Sequence, residues 1–259
     1  MFGGASINVN DLFDLSDRMA KGVDDNGNIV NGAIIEGDIQ NNEASGYYSY
    51  AEGYNTKASG HNSHAEGINT TASGSYSHAE GINTTASGDQ SHAEGYYAIA
   101  SGVTSHAEGY GTLASGEDSH AEGGSTTASG YQSHAEGGNT TALGETSHAE
   151  GSSTTASGKS SHAEGSNTTA NHKSQHVFGE FNIADTSENN ATERGNYIEI
   201  VGNGTYKKKN NARTLDWSGN EILSGSLTLA GSLTIGKGTA DEVTITAAQL
   251  KSLIALLNQ

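Results

Sequence analysis

An all-β fold, a parallel β-roll of about ten short coils, is what this sequence predicts, and three observations predict it. The first is a strict internal period. The pentapeptide SHAEG ends at Gly67, Gly81, Gly95, Gly109, Gly123, Gly137, Gly151 and Gly165, always fourteen residues apart. SYAEG stands one step earlier, ending at Gly53, and QHVFG one step later, ending at Gly179. A second element, ASG, runs in phase from Ala44-Ser45-Gly46 to Ala156-Ser157-Gly158, with Leu143 once replacing its serine. The second observation is a shortage of bulky apolar residues: Leu, Ile, Val and Phe number 39 in 259, and only eight fall within residues 44–179. The third is 36 glycines with no proline, the composition of a chain that turns often and donates every backbone N–H.

The period sets the size of the unit. Fourteen residues are too few for a helical hairpin repeat. At ~3.3 Å per residue they make a closed loop of roughly 46 Å, room for two short strands and two tight turns. Coils stacked at ~4.8 Å would give a spacer about 48 Å long from ten copies. Strand alternation then sorts the faces, with Ser63, Ala65 and Gly67 on one side and His64 and Glu66 on the other. Only the small set fits inside so narrow a loop, and the turns are where the glycines are expected. A core this small buries too little apolar surface to offset chain entropy, so several chains are expected to pack side by side.

Variation between copies says which surface is covered. The pair after ASG reads HN, SY, DQ, VT, ED, YQ, ET and KS, the freedom of a solvated turn, and the pair after SHAEG is also loose. Histidine and glutamate do not change through the eight SHAEG copies. An exposed column of like charges is disfavoured, whereas imidazoles meeting carboxylates between chains would be constrained in this way. The expected interface comprises His64, Glu66, His78, Glu80, His92, Glu94, His106, Glu108, His120, Glu122, His134, Glu136, His148, Glu150, His162 and Glu164.

The flanks are expected to be separate pieces. Residues 1–43 read as an N-terminal attachment segment, with a short helix over about 11–21 that places Leu12, Leu15 and Met19 on one face and ends at Gly22. Asp25-Asn26-Gly27-Asn28 predicts a hairpin turn between Val23 and Ile29-Val30. A D-x-N-x-N run from Asp24 has the start of a calcium loop, but Ile35 stands where the twelfth-position glutamate belongs. Residues 180–223 read as a β connector, with Tyr197–Val201, Thr214–Trp217 and Glu221–Leu223 as strands. Residues 224–259 read as a β shaft and tip carrying Leu227, Leu229, Leu233 and Ile235 on alternate positions. A C-terminal helix follows, opened by a Thr246–Gln249 capping box. Its stripe, Leu250, Leu253, Ile254 and Leu257, is expected to close a three-helix bundle.

Composition narrows the chemistry. A net charge of −18 repels phosphates, so no nucleic-acid partner is expected. No cysteine provides a disulfide framework or a thiolate site, and no apolar run of ~18 residues offers a membrane span. The sequence start shows no basic stretch leading into an apolar one, so no secretory signal is expected. Adjacent Ser-His pairs point to opposite faces of a strand and cannot act as nucleophile and base, so no catalytic residue and no enzyme are expected. Imidazole and carboxylate are competent metal ligands, yet a hydrogen-bonded His–Glu ladder is the simpler reading, and neither a metal nor a cofactor is expected. The Lys207-Lys208-Lys209 run reads as a solvated loop.

The S-x-A-x-G and A-S-G pattern with its fourteen-residue period resembles the YadA-type head of trimeric adhesins. The resemblance implies a left-handed parallel β-roll, three rolls about a threefold axis, with the residues flanking the central alanine of SHAEG facing the trimer interior. That family typically has apolar residues there; here they are histidine and glutamate. The segment RGNYIEIVGNGT…NARTLDWSGNEILSGSLTLAG also resembles the downstream part of tail-fibre and minor tail proteins of phages of Gram-positive bacteria. Together these imply a homotrimeric fibre of a phage or phage-like tail, made in the host cytoplasm and placed in the virion. Residues 1–43 would meet other tail or baseplate proteins. A bacterial cell-surface adhesin is the alternative. A surface glycan or protein receptor would be met by exposed aromatics of the variable turns, Tyr76, Tyr96, Tyr97, Tyr110 and Tyr131.

Overall fold

The computed structural model describes residues 19–23, 26–37, 40–226, 232–235, 243–246, 248–249 and 251. Contacts divide the chain into two compact units, Met1–Glu221 and Ile222–Gln259. The first holds a parallel β-solenoid of ten coils with the expected spacing. Each coil contributes a long strand, from Tyr50–Tyr54 and His64–Ile68 at one end to His176–Glu180 at the other, and a short strand, from Glu43–Ala44 to Thr169–Ala170. Long strands pair in parallel with identical register, His106 beside His120, Ala107 beside Ala121 and Gly109 beside Gly123. Short strands do the same on the second sheet, Leu113 beside Thr127 and Ala114 beside Ala128.

The interior is made of small side chains because nothing larger fits between two strands of one loop. Ala107 and Ala114 are fully buried, as are their counterparts in every coil, and Ser105 and Thr112 are 1% exposed. The serine column anchors the turn before it: Ser105 Oγ donates to the Gly102 carbonyl at 2.7 Å. The threonine column differs, since the Oγ1 atoms of Thr112 and Thr126 are buried and make no hydrogen bond. One coil already dispenses with that hydroxyl, for Ala98 occupies the threonine position and is fully buried. Ser105→Ala should therefore cost about 1 kcal/mol, while Thr126→Val should be neutral or slightly stabilising, both readable by denaturant melts. Equal losses at the two sites would show that the two hydroxyls are not energetically distinct.

Glycine serves two purposes that the sequence reading had merged. Ten glycines in or just after the long strands, from Gly53 to Gly179, have φ between +95° and +113°, each against the backbone of the next. The ASG glycines lack a positive φ, and a Cβ there would meet the next coil's carbonyl at about 2 Å, as at Gly116 and Gly130 O. The left-handed turn positions mostly carry other residues, among them Asn62, Tyr76, Gln90, Thr104 and Asp118 with φ of 53–60°. Each recovers that strain through an inter-coil bond, such as Asn62 N–H to Tyr47 O at 2.8 Å.

The ends are closed by different devices. Met19–Val23 pairs antiparallel with Ile29–Gly37 across the expected turn, Val23 facing Ile29. The expected helix over 11–21 therefore fails at Met19–Lys21, which are strand; residues 11–18 lie outside the described residues. Gly22 admits this strand because it packs against the Ala44 carbonyl, where a Cβ would lie 1.9 Å away. Ile34–Gly37 continues the solenoid sheet in parallel, with Glu36 beside Glu52 and Gly37 beside Gly53. At the far end Tyr197–Asn203 pairs in parallel with His176–Glu180, and Asn211–Asp216 then turns antiparallel. The sheet thus runs through residues 43 and 179 without interruption. Side-chain amides finish the short-strand sheet: Asn42 Oδ1 accepts from Thr56 N–H, and Asn182 both accepts from and donates to the Thr169 backbone.

Asp216 organises the turn after the last of these strands, accepting from the Ser218 and Asn220 backbones at 2.8 Å. Trp217 packs against Arg194, its guanidinium 4.3 Å from the ring centre, and donates Nε1–H to Gly195 O. In the second unit Ser232–Ile235 pairs antiparallel with Val243–Thr246, placing Leu233 beside Ile245. The capping box is present: Thr246 N–H donates to Gln249 Oε1 at 2.8 Å, and Gln249 N–H to Thr246 Oγ1 at 3.3 Å. Ala248, Gln249 and Lys251 are helical in backbone, while Leu250, Leu253, Ile254 and Leu257, like Leu227 and Leu229, lie outside the described residues. Among the described residues no helix is long and apolar enough to cross a membrane.

Candidate functional site: an imidazole and carboxylate ladder

Strand pleating turns the alanines inward and the flanking histidine and glutamate outward, so identical register stacks each of these into a column. Nine imidazoles, from His64 to His176, lie face to face with centroids 4.7–5.0 Å apart and interplanar angles of 5–12°. Tyr50 covers the first at 5.0 Å, and Phe178 lies 5.1 Å from the last. Beside them runs the glutamate column. Seven of the nine histidines bring Nε2 within 4.0 Å of the carboxylate of the coil before, at 3.5 Å for His78 and Glu66, 3.4 Å for His148 and Glu136, and 3.2 Å for His162 and Glu150. For His64, His106 and His134 the gap widens to 3.8–4.0 Å. The pairing within this chain thus joins successive coils. Of these pairs only His162 with Glu150 makes a hydrogen bond. Most other ladder Nε2 atoms, including those of His64, His92, His120 and His148, are enclosed yet have no hydrogen-bond partner. About a third of each ladder side chain is exposed in the single chain.

The electrostatics follow from the stacking. His64, His78, His92, His120 and His176 have pKa values lowered below the ordinary imidazole range, first by desolvation and then, except at His64, by the neighbouring rings; the glutamates oppose the shift. At His78, His92, His120 and His176 a charged neighbouring ring disfavours a second charge, so these rings favour the neutral form. The carboxylates split. Glu122 is raised by the neighbouring carboxyl groups, Glu108 first and then Glu136, whereas Glu52 is lowered by the hydroxyl of Tyr50. Tyr50 donates to both Glu36 and Glu52, which pushes its own pKa well above the usual tyrosine value.

A trough of about 850 Å³ runs along this face, lined by the glutamates from Glu36 to Glu108 and the adjoining glycines. All sixteen expected ladder residues fall on one outward face, as the strand alternation in the sequence predicts. The sequence reading missed the first rungs, Glu36, Tyr50 and Glu52, and the last, His176. The signal was available in Ile35-Glu36-Gly37, which repeats the A-E-G of the coils in register. The receptor-contact candidates Tyr76, Tyr96, Tyr97, Tyr110 and Tyr131 are all exposed, between 38% and 64%. Tyr96 also stacks on Tyr110 at 5.4 Å and meets Tyr97 edge-on. Lys207, Lys208 and Lys209 lie in an exposed turn. The Ser-His pairs are split as expected, Ser63 bonding inward to the Gly60 carbonyl while His64 faces out.

Fold and site define a β-solenoid repeat protein whose outward face carries a continuous imidazole and carboxylate seam. The family described as YadA head domain repeat, in two-copy units, matches residues 44–63, 65–91, 79–105, 93–119, 107–133, 121–146 and 149–171. The coils are thus similar to YadA head repeats over just under half of the chain. No curated protein matches it.

Proposed function

We propose that this chain is part of a homotrimeric, non-enzymatic fibre of the adhesin type at a bacterial surface, in which the coils act as a rigid spacer. The observation that carries this reading is the pairing of YadA head repeats with a core of alanine, serine and threonine. Such a core supplies little burial energy, and the half-exposed ladder is the face whose further burial would supply more. The seam residues, His64 to Glu164, would then lie between protomers, and Leu250, Leu253, Ile254 and Leu257, which the sequence places on a C-terminal helix, would fix the register of three chains. Residues 1–43 would serve attachment, and the exposed tyrosines would meet a glycan or protein receptor. The family match favours the surface adhesin over the phage-tail setting, which rests on the downstream segment alone.

Light scattering of the purified chain in chelator-containing buffer should give a mass of three subunits that persists on dilution. A folded monomer would overturn the proposal.

A further inference from the structure

We propose that the ladder is a binding site for divalent transition-metal ions of the zinc class, with the His148–Glu150–His162 cluster the first to fill. Two imidazoles and one carboxylate make up this cluster, and their ligand atoms all lie within 4.8 Å of one another. Neutral imidazole nitrogen and carboxylate oxygen are the donors such ions prefer, and three protein ligands leave a fourth position for water. Donor atoms at 2.0–2.2 Å from one tetrahedral ion are themselves separated by roughly 3.3–3.5 Å. The His162 and Glu150 atoms already stand 3.2 Å apart, whereas the His148 and His162 rings, stacked at 4.8 Å, have to turn towards each other to share the ion. His148 Nε2 is enclosed and has no hydrogen-bond partner, which leaves its lone pair free to coordinate.

The same arrangement recurs as Glu52–His64–Glu66, Glu66–His78–Glu80, Glu80–His92–Glu94 and Glu94–His106–Glu108. These sites hold a single imidazole each and are weaker. Successive clusters share a carboxylate, and ions one coil apart would repel, so alternate clusters load before their neighbours. Magnesium and calcium, which require six or more oxygen ligands, do not fit this donor set. The inference does not depend on the number of chains in the assembly.

Zinc titration of the full chain by calorimetry at pH 7.5 tests it. The expected result is a first equivalent bound at micromolar affinity or better, further weaker binding, and loss of all binding at pH 5, where protons compete for the imidazoles. His148→Gln with His162→Gln should weaken the first equivalent at least tenfold, while His61→Gln, which lies off the ladder, should leave it unchanged. Far-UV circular dichroism of each variant in chelator confirms that the coils remain folded. No zinc binding at millimolar concentration, or a first equivalent that survives the double substitution, overturns the proposal. A trimer that binds no zinc would remove the metal site and leave the fibre reading intact; a monomer that binds zinc would do the reverse.

Discussion

Gly123→Ala is expected to lower the melting temperature by roughly 10 °C, whereas Gly124→Ala, one residue on, should leave it unchanged or raise it slightly. Gly123 has a φ of +103°, and a Cβ there would sit 2.2 Å from the Gly137 carbonyl oxygen. Backbone strain and an inter-coil clash thus coincide, and neither can relax without breaking the ladder bonds of the next coil. Strain of this kind costs about 1–3 kcal/mol, and displacement of a packed backbone adds to it. A loss of about 4 kcal/mol corresponds to roughly 8–16 °C in a chain of this size. Gly124 has no positive φ, and nothing lies within 4 Å of its added Cβ. Alanine there reduces the freedom of the unfolded chain at little native cost. Thermal melts of the pair decide the matter, and similar losses at both positions would contradict the close approach of the long strands.

The second large effect is on pH. The lowered pKa values of His64, His78, His92, His120 and His176 mean that the unfolded chain binds more protons than the folded one just below neutrality. Stability from these groups is fully present above the unfolded imidazole value near ~6.5 and is lost as pH falls through their lowered folded values. A melting temperature that is level above about pH 7 and declines steadily towards pH 5 is the expected profile in chelator. The raised pKa of Glu122 works in the opposite sense. A melting temperature that rises on acidification would mean that charged imidazolium–carboxylate pairs outweigh the stacking.

The architecture was legible because the repeat is nearly invariant and its period excludes helical units. Alternation within Ser63–Glu66 sufficed to sort core from surface, and both sheets follow it. What escaped the sequence lies where the pattern degrades. Met19–Val23 carries the end of an apparent helical stripe, yet its strand is fixed by pairing with Ile29–Gly37 and by Gly22 packing against Ala44, contacts that local propensity does not encode. The positive φ values of Asn62 and its equivalents escaped for a similar reason, since the compensating bond comes from another coil. The ladder residues were legible as a pattern, but not the distances that leave most imidazoles without a hydrogen bond, because these depend on side-chain angles that a strand permits freely.

The two closed ends carry a consequence for how such a molecule can vary. Each interior coil pairs its strands with the copy above and the copy below, while the amides of Asn42 and Asn182 shut the short-strand sheet against other strands. Removing or duplicating a block of fourteen residues between those lids leaves every surviving contact in place. Length is therefore a separate inherited variable, adjustable in steps of one rung like the marks of a ruler, without retuning the lids or the lattice of bonds between them.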